Sequence, residues 1–61
     1  MANRRIREEM ILAGVSITEL AEKLGVTEEV MVGRLNSEMG IMESFKVMSA
    51  VSEIKLAKEC A

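Results

Sequence analysis

Groups with which proteins make and break bonds are scarce in this chain. It has no histidine and no tyrosine, Cys60 is its one cysteine, and its four glycines form no phosphate-cradling loop. General acid–base catalysis needs a group titrating near neutrality, and covalent catalysis needs a nucleophile beside a base. Neither is present at a recognisable spacing, so no catalytic residue is assigned and no enzymatic role is expected. Without histidine and with a single thiol there is no zinc set, and neither metal, cofactor nor small-molecule substrate is expected. What remains is charge and shape: Arg4, Arg5 and Arg7 near the start, the adjacent Glu28 and Glu29, and six methionines. Such groups recognise macromolecules rather than transform small ones.

Ten acidic and eight basic residues give a net charge of −2. Autonomous nucleic-acid-binding domains usually carry a basic surplus that neutralises phosphates, so the balance weighs against tight DNA binding. The three N-terminal arginines read either as a local positive patch or as a solvated helical turn. A lone cysteine allows no intramolecular disulfide and fits a reducing, intracellular setting. The run Met10–Val15 is shorter than the ~7 to 15 residues of a signal-peptide core. No stretch reaches the ~18 to 20 apolar residues of a membrane span. A soluble, cytoplasmic protein without membrane contact is expected.

Sixty-one residues make one small domain with a marginal core. Phe45 is the only aromatic residue, so that core must come from Ile, Leu, Val, Ala and Met, which favours an all-α domain. Four helices are expected, at about 4–13, 17–24, 28–35 and 41–51. In the first, Ile6, Met10 and Ala13 recur at helical spacing and Gly14 supplies the exit. Ser16 and Glu19 have capping-box spacing ahead of Ile17, Leu20, Ala21 and Leu24, and Gly25 closes the second helix. Thr27 caps the third, with Glu28 and Glu29 in its first turn near the positive end of the dipole. In the fourth, Ile41, Phe45, Met48 and Val51 are expected to face the core, with an end near Ser52. The segment 53–58 reads equally as strand, from the alternation of Ile54 and Leu56 with charges, and as helix, from its composition.

The segment from Ser16 to Asn36, SITELAEKLGVTEEVMVGRLN, resembles the Cro/C1-type helix-turn-helix family of phage and bacterial regulators. The matching residues are Leu20 and Ala21 where two helices cross, Leu24, Gly25 and Val26 around the turn, and Met31 and Leu35 inside the third helix. The family's RLNG-like closure is similar to the RLN that ends the segment. An unrelated four-helix bundle is the alternative that periodicity leaves open. The resemblance implies a small DNA-binding transcriptional regulator whose third helix enters the major groove of double-stranded DNA. Thr27, Glu28, Glu29, Val32, Gly33 and Asn36 would then enter the groove, with Thr18 of the second helix also at the duplex, and Arg34, Lys23, Arg4, Arg5 and Arg7 would serve its phosphates. Two features depart from the family. Ile17 stands where a DNA-bonding glutamine is common, and none of the residues that would enter the groove is basic. A carboxylate can accept from cytosine and a valine can touch a thymine methyl, but both would work against phosphate repulsion.

A second use of the same scaffold is therefore carried forward: a protein partner, as for an anti-repressor or anti-defence factor of phage type. Met10, Met31 and Met48 read as core, whereas Met39 and Met42, beside Ile41 and with Val32 and Ile17, could form an apolar patch for a protein. A homodimer is expected through Val51, Ile54 and Leu56, either by pairing of a C-terminal strand or by a helical stripe of Val47, Val51, Ile54 and Lys58.

Overall fold

The computed structural model describes residues 3–60, and among them the secondary structure is helical throughout: α1 Arg4–Ala13, α2 Ile17–Leu24, α3 Glu28–Leu35 and α4 Ile41–Cys60. No helix among the described residues is long and apolar enough to cross a membrane. The first three helices occupy the expected ranges.

Local chemistry explains their ends. Both α1 and α2 close on a Gly-Val pair. Gly14 and Gly25 sit at φ 67° and 70°, a region that costs a side-chain-bearing residue strain. The following valine N–H then reaches back into the helix, from Val15 to Met10 O at 2.9 Å and from Val26 to Ala21 O at 3.0 Å. This is the Schellman arrangement, whose hydrophobic component appears here as a buried Val15 and a half-buried Val26. At the start of α2 the capping box is complete: Glu19 N–H donates to Ser16 Oγ at 3.1 Å, and Ser16 N–H donates to Glu19 Oε1 at 3.0 Å. Thr27 Oγ1 accepts from Val30 N–H at the start of α3.

The core joins Ile6 and Met10 of α1, Val15 of the turn that follows it, Leu20 and Ala21 of α2, Met31 and Leu35 of α3, and Val47, Ala50 and Val51 of α4. Helix α4 packs against α1 and α2, and α2 packs against α3. Ala21 is 2% exposed. Its small size lets backbones approach where a longer side chain would separate them. Helices α1 and α4 run side by side in the same direction: Ile6 shares a hollow with Phe45 and Met48, and Lys58 Nζ donates to Gly14 O at the far end.

Three expectations about α4 are corrected. The segment 53–58 is not a strand but the last turns of a 20-residue helix that continues past Ser52 to Cys60. A lone strand would leave its backbone groups unpaired, whereas helix continuation satisfies them within the segment. The inward face keeps Val51 and, in part, Met48, but not Ile41 or Phe45. Val47, Ala50 and Val51 are buried, Met48 and Ile54 pack partly against the core, and Ile41 and Phe45 are 78% and 66% exposed. The 100° step per residue carries Ile41 and Phe45 to the side of the helix opposite Ala50. Finally, Val51 is 3% exposed and Val47 1%, so the stripe assigned to a dimer is consumed by the monomer's own core. Of the three interface residues, only Leu56, at 58%, stands in solvent.

Candidate nucleic-acid interface

Helix α3 is eight residues long and buries only Met31 and Leu35. The rest of its circumference is open: Thr27, Glu28, Glu29, Val32, Gly33, Arg34 and Asn36 are all exposed, as is Val30, which sequence reasoning did not single out. The α3 face therefore projects the expected set as a group, apart from the residues contributed by other helices.

Charge along α3 is ordered. Glu28 and Glu29 lie in its first turn and Arg34 in its last, so each sign sits at the end of the helix dipole that stabilises it. The same order places two carboxylates where an anion would otherwise be attracted to free backbone N–H groups. Glu28 is further engaged, because Thr18 Oγ1 donates to its Oε1 at 2.5 Å and links the start of α2 to the start of α3. Thr18 and Glu28 are thus one unit rather than two independent contacts.

The basic residues are distributed differently from the expectation. Arg34 Nε lies 3.6 Å from Glu43 Oε1, in the first turn of α4, and Lys23 Nζ lies 3.8 Å from Glu53 Oε2. Both pairs are half-exposed and loose, so each cation can be drawn away by a stronger anion at little cost. Arg4 pairs with Glu8 one turn on. Arg5 is exposed and forms no ion pair among the described residues. Arg7 turns towards the end of α3, where its Nη2 donates to Asn36 Oδ1 at 2.6 Å and to Leu35 O at 3.2 Å. Asn3 joins it. Its Nδ2 lies within hydrogen-bond distance of the carbonyls of Arg34, Leu35 and Ser37. The beginning of α1 therefore clamps the carbonyl end of α3. No local pattern announces this clamp, since its partners lie 28 to 34 residues apart.

The charges at the far end of α4 have a structural role. Lys58 Nζ lies 2.9 Å from Glu19 Oε1. The Glu19 carboxyl is held below the ordinary glutamate range, first by the Ser16 backbone N–H and then by Lys58.

The apolar patch foreseen around Met42 is rearranged. Met42 is 74% exposed and Val32 41%, but Ile17 packs against the core. Ile41 and Phe45 instead wall an open hollow of about 610 Å³ between the starts of α1 and α4, with Arg4 and Arg5 on its rim.

Gly33 has no explanation within the chain. A glycine inside a helix costs about 1 kcal/mol against alanine. A Cβ built on Gly33 meets nothing within 4 Å, so no neighbouring element requires the gap. The vacancy faces outward, on the exposed side of α3. Comparison with protein-family models, with curated protein sequences and with solved structures finds no match to this chain.

Proposed function

We propose that this chain is a small DNA-binding regulator of the Cro/C1 helix-turn-helix type, with α3 as its recognition helix. The reading rests on the resemblance of residues 16–36 and, above all, on Gly33. The open, outward position of Gly33 leaves room for close approach from outside, and a helix lying in a groove is approached that way. Glu28 and Glu29 would read cytosine amino groups, Val32 a thymine methyl, and Arg34 would exchange Glu43 for a phosphate.

The test is selection of duplexes from a random pool at low salt, using the full chain. Enrichment of one sequence is expected. Glu43→Gln should then tighten binding and steepen its salt dependence by about one unit as Arg34 is released, with Arg34→Ala doing the reverse. A pool that yields no enriched duplex at low salt sinks the reading.

A second reading has its own support in the acidic start of α3 and in the pairing of Arg34 and Lys23 with carboxylates. Here the same face takes a protein, and Gly33 admits one of its side chains. Val32→Lys separates the two. Under the first reading it should keep duplex binding, with a steeper salt dependence and relaxed sequence preference, and under the second it should abolish capture of a protein partner.

A further inference from the structure

The start of α1 differs in charge from the starts of the other helices. Glu19, the pair Glu28 and Glu29, and Glu43 lie in the first turns of α2, α3 and α4, whereas α1 opens on Arg4 and Arg5 with no acid in its first turn. Cations at the positive end of a helix dipole are unfavourable, so the monomer gains nothing from this opening. Asn3 adds to the positive field, because its side chain is committed to the carbonyls of α3 and leaves the first N–H groups of α1 without a side-chain cap. Arg5 is exposed and forms no ion pair among the described residues, and Arg4 holds Glu8 in a surface pair that another carboxylate can replace.

Beside these charges lies the hollow of about 610 Å³, whose apolar wall is built from Ile6, Met39, Ile41, Phe45 and Met48. Ile6 belongs to the core, but Ile41 and Phe45 do not, and most of their surface stays in water. A seat for an apolar group therefore adjoins a seat for an anion.

We propose that this hollow takes an acidic, apolar segment of a partner protein. A bulky side chain such as leucine or phenylalanine enters against Ile41, Phe45 and Met48, and carboxylates within a turn of it pair with Arg5 and Arg4 at the positive end of α1. Met39 and Met48 are flexible enough to mould to the entering group. Charge complementarity sets the sign of the partner, and the openness of the hollow sets its size. Small-molecule pockets bury about 70 to 90% of their ligand, which walls as exposed as Ile41 and Phe45 cannot do. A polypeptide laid across the mouth covers those walls together with its own side chain. A nucleic acid brings anions but no aliphatic group for Met39, Ile41 and Met48. The inference assumes nothing about what α3 binds.

Selection of a displayed random dodecapeptide library against the full chain tests it. Enriched peptides should carry two or more carboxylates around a bulky apolar residue and, once synthesised, bind with a dissociation constant on the order of 10 µM. Phe45 is the only aromatic residue, so in a chain isotopically labelled at phenylalanine its ring signals report directly on the hollow, and the peptide should shift them. Arg5→Glu and Ile41→Ser alter exposed residues, so circular dichroism should match the parent while binding weakens about tenfold or more in each. Replacing the peptide's carboxylates by amides should weaken it to a similar degree. A library that yields no acidic, apolar consensus overturns the proposal, as does a selected peptide that leaves the Phe45 ring unmoved or binds Arg5→Glu as it binds the parent. Decanoate, oligothymidylate and a random duplex serve as parallel probes. A shift of the Phe45 ring by any of these, with none from the selected peptide, would give the hollow to a small amphiphile or a nucleic acid and overturn the assignment to a protein.

Discussion

Gly25 and Gly33 lie eight residues apart and use the missing side chain in opposite ways. At Gly25 the backbone needs positive φ, and a Cβ there would meet no neighbour, so the whole cost of Gly25→Ala is conformational. It should be about 1 to 2 kcal/mol, read as a melting temperature lower by roughly 5 to 15 °C. Gly33 has ordinary helical backbone and open space around it. Gly33→Ala should stabilise the fold by up to about 1 kcal/mol and raise the melting temperature, while binding at the α3 face falls. A variant that gains stability and binds its selected duplex or protein partner unchanged would remove Gly33 from the argument for that face. Sequence spacing marks both glycines, but only the backbone conformation, positive φ at Gly25 and ordinary helical φ at Gly33, distinguishes a turn requirement from a surface one.

Helices here are secured chiefly by their ends, and the ends fall into two kinds. The capping box of α2 and the Gly-Val exits of α1 and α2 are local, and can be read from Ser16, Glu19, Gly14 and Gly25. The carbonyl end of α3 depends instead on Asn3 and Arg7. Asn3→Ala should cost about 1 kcal/mol, seen as earlier thermal unfolding and faster amide exchange at Asn36 and Ser37. At α2, the lowered Glu19 pKa means that the folded chain holds this proton less tightly than the unfolded one does. Its stabilisation is therefore present above the ordinary glutamate value of 4.5 and is lost as pH falls below it, through the lowered folded value. Lys58→Met should raise the Glu19 pKa towards that ordinary value, so that acid titration of the Glu19 carboxyl by NMR shifts to higher pH. An unmoved titration would mean that Ser16 alone sets it.

At the scale of the molecule, stability is narrow. At roughly 0.05 to 0.15 kcal/mol per residue, 61 residues yield about 3 to 9 kcal/mol. Leu20 is completely buried at the junction of α2 with the rest of the core. Leu20→Ala should cost about 2 to 5 kcal/mol, leaving a chain that is largely unfolded near 40 °C by far-ultraviolet circular dichroism. A large apolar surface nevertheless stays outside this small core. Ile41, Met42, Phe45 and Leu56 on α4, and Ile11 and Leu12 on α1, are each more than half exposed.

The amino-acid sequence alone determined the first three helices, because their signals are local: apolar spacing, a capping residue and a glycine exit each act within a few residues. It also placed Thr27, Glu28, Glu29, Val32, Gly33 and Asn36 on one outward face, since the buried Met31 and Leu35 leave α3 little choice of orientation. Only the tertiary structure decided the fate of α4. Its apolar residues surround the helix rather than forming one stripe, so periodicity does not say whether Phe45 or Val47 faces inward; packing against α1 and α2 selects Val47, Ala50 and Val51. The same packing sends Val51 into the core, ties Arg34 and Lys23 to glutamates on α4, and turns Arg7 towards α3. These outcomes join side chains far apart in the chain, and no local rule couples them.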